Sequence, residues 1–349
     1  MSGYKHEYAG IIKKIKIKAH GLFIKVVSDK NKQRVFYRSY RHIGKKKTGA
    51  VETALYMTQE PNPLAGFGHG IDVWRSGISN AKIFDLNYAY CPMPTKEWDT
   101  RLGLGEGMTS IADLKGKGYR LIKLPYYDPY NGDDLEMIRQ IIASYKGERI
   151  IFLNEFEQPT DRAYSQYACD CMKKMFWASS EREKDSLAYD ADSVNIAVHI
   201  RRGDVTKNSA DPDIRKRWLD NTYYEAVIKQ ILAEAQTGIR IRVYIFSEGD
   251  KEDFKELETL ACPVTCFLNT SIVESFIHMC RADILVVGLS SFSADPGHIN
   301  PSLKIVPSRF WGTHPDNGEW IVADEEGNIS EEDRQKIKKT IKDRISSRL

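Results

Sequence analysis

The chain has 349 residues, 28% of them charged and 42% hydrophobic, with a formal net charge of only +3. That length can bury a large core and accommodates two domains of ordinary size, and so balanced a charge makes no electrostatic case for a nucleic-acid partner. No apolar run approaches the ~20 residues that span a bilayer, and the N-terminal residues carry no apolar core of the signal-peptide kind, so no membrane segment is expected.

The basic residues are uneven: Lys13, Lys14, Lys16, Lys18 and Lys25 crowd the N-terminus and Lys45, Lys46 and Lys47 form a second group. They read as a solvated face and a solvated loop. Cys91, Cys169, Cys171, Cys262, Cys266 and Cys280 form no CxxC pair with a matching partner, which argues against a zinc site. Scattered reduced thiols fit a cytoplasmic location.

In chain order, residues 8 to 40 alternate apolar and basic positions over short runs (Ile11, Ile15, Ile17, then Leu22, Ile24, Val26, then Val35, Tyr37), which predicts small antiparallel strands. From Pro61 the pattern changes to a glycine-rich loop containing Gly66, Gly68, His69 and Gly70. Ile71, Trp74, Ile78 and Ala81 follow at helical spacing, and Lys82–Leu86 then reads as a strand. Ile150–Leu153 is another strand, and 161 to 185 reads as a helix. A boundary is expected near 180 to 192, where Ser179-Ser-Glu-Arg-Glu-Lys-Asp is polar and charged, giving domains 1–190 and 191–349.

The second half alternates more clearly. A strand over 196 to 200 leads through a polar loop to a helix over 221 to 236. The strand Arg242–Phe246 precedes a charged helix over 252 to 260, the strand Val264–Leu268, a helix over 272 to 280 and the strand Ile284–Val287. The charged tail from Ser330, with Ile337 and Ile341 four apart, predicts a surface helix laid back on the body. Strands alternating with helices predict an α/β fold with parallel, doubly wound sheets.

The stretch Asn195-Ile-Ala-Val-His-Ile-Arg-Arg-Gly-Asp204 is a short buried strand ending on a charged turn. In an open α/β sheet ligands bind at the carboxyl ends of strands, and a guanidinium there offers a fork of donors that matches phosphate. Alternation places Arg201 and Arg202 on opposite sides and His199 on the side of Arg201. After the Ile284–Val287 strand, Gly288 and the hydroxyls of Ser290, Ser291 and Ser293 form a second candidate phosphate cradle. The Gly66–Gly70 stretch lacks the spacing of a dinucleotide fingerprint and has no Walker lysine, but permits close backbone approach.

His199-Ile-Arg-Arg-Gly-Asp204, the strand ending at Ser247-Glu248, and Ala282-Asp-Ile-Leu-Val-Val-Gly-Leu-Ser-Ser-Phe-Ser293 together resemble the fucosyltransferase superfamily with the His-x-Arg-Arg-Gly/Thr-Asp signature, which includes α1,2-, α1,6- and protein O-fucosyltransferases. The resemblance covers roughly residues 194 to 300 and extends weakly to the glycine-rich stretch. It implies a GT-B fold, with two Rossmann-like domains facing a cleft, an acceptor-side N-terminal domain and a C-terminal domain that holds GDP-fucose. It also implies an inverting transfer of fucose to a glycan hydroxyl, with no metal and no cofactor beyond the donor. Arg201 would neutralise the departing diphosphate; Asp204, Asp211 and Asp213 are the nearby carboxylates, of which Asp204 is taken as catalytic. His199, Arg202, Gly66, Gly68, His69, Gly70, Ser247, Glu274, Ser290, Ser291, Phe292 and Ser293 would line the donor site. The chain departs from its relatives where an α1,6-type glutamate would fall, near Ser209, and where an aromatic pair would follow Ser-Phe-Ser, at Ala294-Asp295. Acceptor and linkage do not carry over.

Overall fold

Strands separated by helices run along most of the chain in a computed structural model that describes residues 34, 36–44, 53–60, 66–155, 158–159, 162–310, 312 and 314–346. The elements are β1 (Tyr56–Gln59), α1 (Phe67–Ile83), β2 (Asn87–Tyr88), α2 (Lys96–Leu102), α3 (Ile111–Gly116), β3 (Arg120–Lys123), α4 (Gly132–Ser144), β4 (Ile150–Asn154) and α5 (Arg162–Ala178). They continue with β5 (Val194–His199), α6 (Pro212–Arg215), α7 (Asn221–Ala233), β6 (Ile241–Ser247), β7 (Val264–Leu268), α8 (Ile272–Arg281), β8 (Ile284–Val286), α9 (Ser291–Ile299), β9 (Leu303–Pro307), β10 (Trp320–Ala323) and α10 (Glu331–Ser346). The strands expected over 8 to 40 lie largely outside the described residues.

The chain forms two compact units, one from residues 1–60, 76–91 and 109–161 and the other from 61–75, 92–108 and 162–349. In the first, four parallel strands run in the order β2-β1-β4-β3. Met57, Ile122, Ile150 and Phe152 pack on one face against Ile138 and Ile141 of α4 and against Phe84. Ile151 packs on the other with Leu114 of α3. The Asn131 side chain starts α4 by accepting hydrogen bonds from the Asp133 and Asp134 amides, with both acids in the first turn where the helix dipole favours them.

In the second unit six parallel strands run in the order β10-β9-β8-β5-β6-β7. The period of two along β5 divides the core. Ile196 and Val198 face Tyr224, Val227 and Ile231 of α7 and Ile337 and Ile341 of α10. Ala197 faces the other way, with Phe246, Leu285, Val287 and Met279 of α8. Helical residues cover both faces, which is why these strands read as continuous apolar runs. Each fully buried aliphatic side chain contributes roughly 1.5–3 kcal/mol. Both units are therefore Rossmann-like α/β layers, as expected.

Several expectations need correction. Phe67–Gly70 is the first turn of α1, not a loop: the Gly70 amide donates to the Gly66 carbonyl at 3.0 Å, and the buried stripe of Ile71 and Trp74 draws the glycines into the helix. Residues 82–86 close that helix instead of forming a strand, with Asp85 at φ 52 and the Leu86 amide returning to the Ala81 carbonyl. The charged stretch 252–260 makes two short 3-10 turns, Lys251–Phe254 and Leu257–Thr259. The segment 180–192 lies inside the second unit and is not a solvated linker. Two of its acids are held by ion pairs, Glu181 with Arg101 and Lys184, and Asp185 with Arg281 and Arg101. Among the described residues no helix is long and apolar enough to cross a membrane, and all six thiols are free.

Candidate anion-binding crevice

β5 is the topological switch point of the six-stranded sheet. β6 and β7 lie to one side of it and β8, β9 and β10 to the other. The segments leaving β5 and β8 therefore diverge, and in open α/β sheets that divergence makes a ligand crevice. A cavity of about 820 Å³ opens there, formed wholly by residues of the second unit.

Arg201 lies just past the end of β5. Its Nε and Nη2 donate to the two Asp204 oxygens at 3.2 and 2.7 Å, and its Nη1 donates to Ser290 Oγ at 3.0 Å. Asp204 is 67% exposed and Arg201 21%, so the pair sits at the open side of the cavity. An exposed ion pair of this kind is worth at most about 1 kcal/mol, so an entering anion can displace the aspartate from the fork. Ser290 is also the N-cap of α9, accepting from the Phe292 amide at 3.2 Å. Ser293 is buried and turned inward, its Oγ accepting from the Gly288 amide at 3.2 Å. A Cβ at Gly288 would lie 2.7 Å from the His199 carbonyl oxygen, so only glycine lets the ends of β5 and β8 approach this closely.

His199 is 6% exposed, stands edge-on to Phe292, and has no partner for Nδ1. Burial, then the charges of Arg201 and Arg202, push it down to about 3, so it is a neutral imidazole. Arg202 turns the opposite way. It donates to the Leu219 carbonyl and Asn221 Oδ1 and stacks on Trp218 at 3.7 Å, leaving a rim of charge on the cavity. Burial lowers its guanidinium from the ordinary arginine value.

The start of α1 forms another wall. Gly66, Phe67, Gly68, His69 and Asp72 line the cavity, whereas Gly70 faces Met93. A Cβ at Gly68 would fall 3.0 Å from Ser291 Oγ and 3.1 Å from the Phe292 amide, so this glycine sets the approach of α1 to α9. Thr270, Ile272 and Ser275 come from the start of α8, whose N-cap is Ser271. Ser247 lines the cavity but spends its hydroxyl on the Ile200 carbonyl, at 2.6 Å, tying β6 to β5. Glu274 does not line it; its carboxylate pairs with Arg101 at 2.9 Å.

Ten of the expected site residues that line the cavity are thus brought together: His199, Arg201, Arg202, Asp204, Ser247, Ser290, Ser291, Phe292, Gly68 and His69. Gly66 is an eleventh, while Ser293, Gly70 and Glu274 stand outside its lining. Sequence reasoning did not single out Asp72, Arg217 or Asn269. Asn269 carried one usable signal, its place directly after a strand. It sits at φ 55 and exchanges two hydrogen bonds with the backbone of Gly249. Asp72 carried none, being one acidic residue in a helix. A cation fork, a hydroxyl-capped helix start and a neutral imidazole around one opening suit an extended polyanion with an uncharged appendage.

Comparison with known protein families and with curated proteins returns no match. Solved structures do match in the arrangement of elements. POFUT1 in complex with GDP matches at 12% identity, with 79% of this chain and 99% of that chain covered and a TM-score of 0.43. The E. coli heptosyltransferase WaaC with ADP matches at 11% identity, 83% and 99% coverage and a TM-score of 0.39. A glycosyl transferase family 9 structure from Veillonella parvula matches at 12% identity, 86% and 100% coverage and a TM-score of 0.36.

Proposed function

We propose that the chain is a GT-B glycosyltransferase that moves fucose from GDP-fucose to a glycan hydroxyl, with inversion and without a metal ion. The observation that carries this reading is Arg201, placed at the β5/β8 switch point beside the capped start of α9 and open to a cavity large enough for a nucleotide sugar. Negative charge develops on the diphosphate as the sugar leaves. A guanidinium already aimed at that place stabilises the transition state more than the ground state, which is the task a divalent cation has in other transferases. His199, kept neutral by burial and then by the charges of Arg201 and Arg202, is an uncharged wall of the site. The signature over 199–204 and Ser290–Ser293 supports the fucose assignment within this chemistry. The partners are then a nucleotide-sugar donor and a glycan acceptor, and the free thiols support a cytoplasmic setting.

Calorimetric titration with GDP, UDP and ADP and with their sugars tests the reading. Preferential binding of GDP and GDP-fucose is expected. Preference for UDP or ADP overturns the fucose assignment, and glycan binding without any nucleotide affinity makes the chain a glycan-binding module.

A further inference from the structure

Transfer to a hydroxyl needs a group that takes its proton, and the inference here rests on the donor reading above. Among the described residues three carboxylates line the crevice: Asp72, Asp204 and Glu248. In a displacement with inversion the nucleophile enters opposite the leaving group, so the base and the cation that receives the diphosphate stand on opposite sides of the sugar. Asp204 accepts two hydrogen bonds from Arg201 itself and follows it by three residues, which places it on the leaving-group side even after the diphosphate displaces it from the fork. The Glu248 carboxylate lies against Gly203, two residues beyond Arg201, on that same side. Asp72 comes from a different element, the second turn of α1.

Asp72 is also held. Its carboxylate pairs with Arg75 one turn further along α1. Arg75 Nη1 reaches Asp295 Oδ1 of α9 at 3.3 Å and Cys169 Sγ of α5 at 3.6 Å. Asp295 is fully buried, and neither of its oxygens has a hydrogen-bond partner. Burying an ion against a single partner at that distance is a poor way to gain stability, because desolvation outweighs or cancels the attraction. What it does is fix the guanidinium. Burial by itself would lower Arg75, yet Asp295 and then Asp72 carry it above the usual arginine range, while burial pushes the Asp295 carboxyl well up against the pull of Arg75, so the guanidinium stays a cation between the two carboxyl groups. Arg75 in turn fixes the rotamer of Asp72, which is the 34% exposed end of the chain of charges.

We propose that Asp72 is the general base of the transfer and that Arg75 and Asp295 are positioning residues acting through it. The acceptor oxygen forms its bond to the anomeric carbon as its proton passes to an Asp72 carboxylate oxygen. The bond from that carbon to the β-phosphate oxygen breaks, GDP leaves with the electron pair, and Arg201 receives the charge. Asp72 returns its proton to water after the product departs.

The test compares wild type, Asp72→Asn, Asp72→Glu and Asp295→Asn, using GDP release from GDP-fucose with water as acceptor and calorimetric titration with GDP. Asp72→Asn should lower kcat by roughly 10²–10⁴-fold, the range for loss of a general base, while GDP affinity holds within about twofold. Asp72→Glu should recover part of the lost rate, and Asp295→Asn should lower kcat at unchanged KM. Turnover by Asp72→Asn within about threefold of wild type overturns the proposal, as does a parallel loss of GDP affinity, which would make Asp72 a donor-binding group. A wild-type protein that does not bind GDP fails one step earlier: it refutes the donor reading and this inference with it. A wild type that binds and turns over alongside an equally active Asp72→Asn removes the base assignment alone.

Discussion

The two units have the same construction and different strand ends. In the first unit the switch point lies between β1 and β4, and the strands finish on Gln59 and Asn154. Their amides are engaged within the unit. Gln59 Oε1 accepts from Asn80 and its Nε2 donates to the Gln158 carbonyl, while Asn154 Nδ2 donates to Tyr127 Oη and Gln158 Nε2 donates to the Tyr127 carbonyl. All four amide residues are at most 3% exposed. In the second unit the equivalent place carries Arg201 and the Ser290 cap, and it opens into a cavity. Topology supplies a crevice-forming position twice. The residue types at the strand ends decide whether it is closed by neutral amides or left as a charged opening.

The largest expected effect breaks the second unit's opening. Arg201→Ala should lower GDP-fucose turnover by roughly 10²–10³-fold, about 3–4 kcal/mol of transition-state stabilisation, as removal of an oxyanion donor does elsewhere. The matched change in the first unit, Asn154→Ala, should leave turnover within about twofold while lowering stability by about 1–3 kcal/mol, read as a denaturant midpoint. Equal losses of turnover in both variants would erase the distinction between the switch points.

Next in size is Gly288→Ala. Its Cβ would meet the His199 carbonyl at 2.7 Å, a backbone contact that cannot rotate away. A loss of about 1–3 kcal/mol in stability, with weakened GDP binding, is expected from overpacking at the crevice floor.

A pH titration sharpens the electrostatic side. His199 is depressed to about 3 in the folded chain by burial and then by the two arginines, against an ordinary value near 6.5. Above pH 6.5 it is neutral folded and unfolded and contributes no pH dependence. Below 6.5 the unfolded chain takes up a proton that the folded chain refuses, so stability falls by up to about 1.4 kcal/mol per pH unit until pH nears 3. His199→Gln should remove that component of acid sensitivity, as followed by thermal melts between pH 4 and 7.

The smallest effect is Asp204→Asn. An exposed partner of Arg201 contributes at most about 1 kcal/mol, so the melting temperature should barely move. GDP affinity should hold or rise, because the fork no longer has to release a carboxylate. A fall in GDP affinity would show that Asp204 contacts the donor directly.

The legible parts of the molecule share a physical cause. Ile196–Ile200 and Ile284–Val287 are buried on both faces and so are apolar without interruption, and the charges that follow them mark the strand ends. Ile337 and Ile341, with Ile345 four residues on, form an apolar repeat in a charged tail, and the first two are buried. The illegible parts depend on tertiary partners. β9 contains Lys304, 1% exposed, whose Nζ is held by Glu319 at 2.7 Å, so its burial is invisible in the pattern. β3 reads Arg-Leu-Ile-Lys and is half exposed. The polar stretch at 180–192 looks like a linker only until Arg101 and Arg281 are brought to it. Asp72 becomes a candidate through Arg75 and Asp295, more than two hundred positions away in sequence, and no local spacing records that.

The most direct measurement is a crystal structure of the protein soaked with GDP-fucose. The diphosphate should lie within hydrogen-bonding distance, about 3 Å, of the Arg201 guanidinium and the start of α9, with Asp204 displaced from the fork. A nucleotide bound elsewhere, or an Arg201–Asp204 pair left intact beside an occupied cavity, would contradict the account.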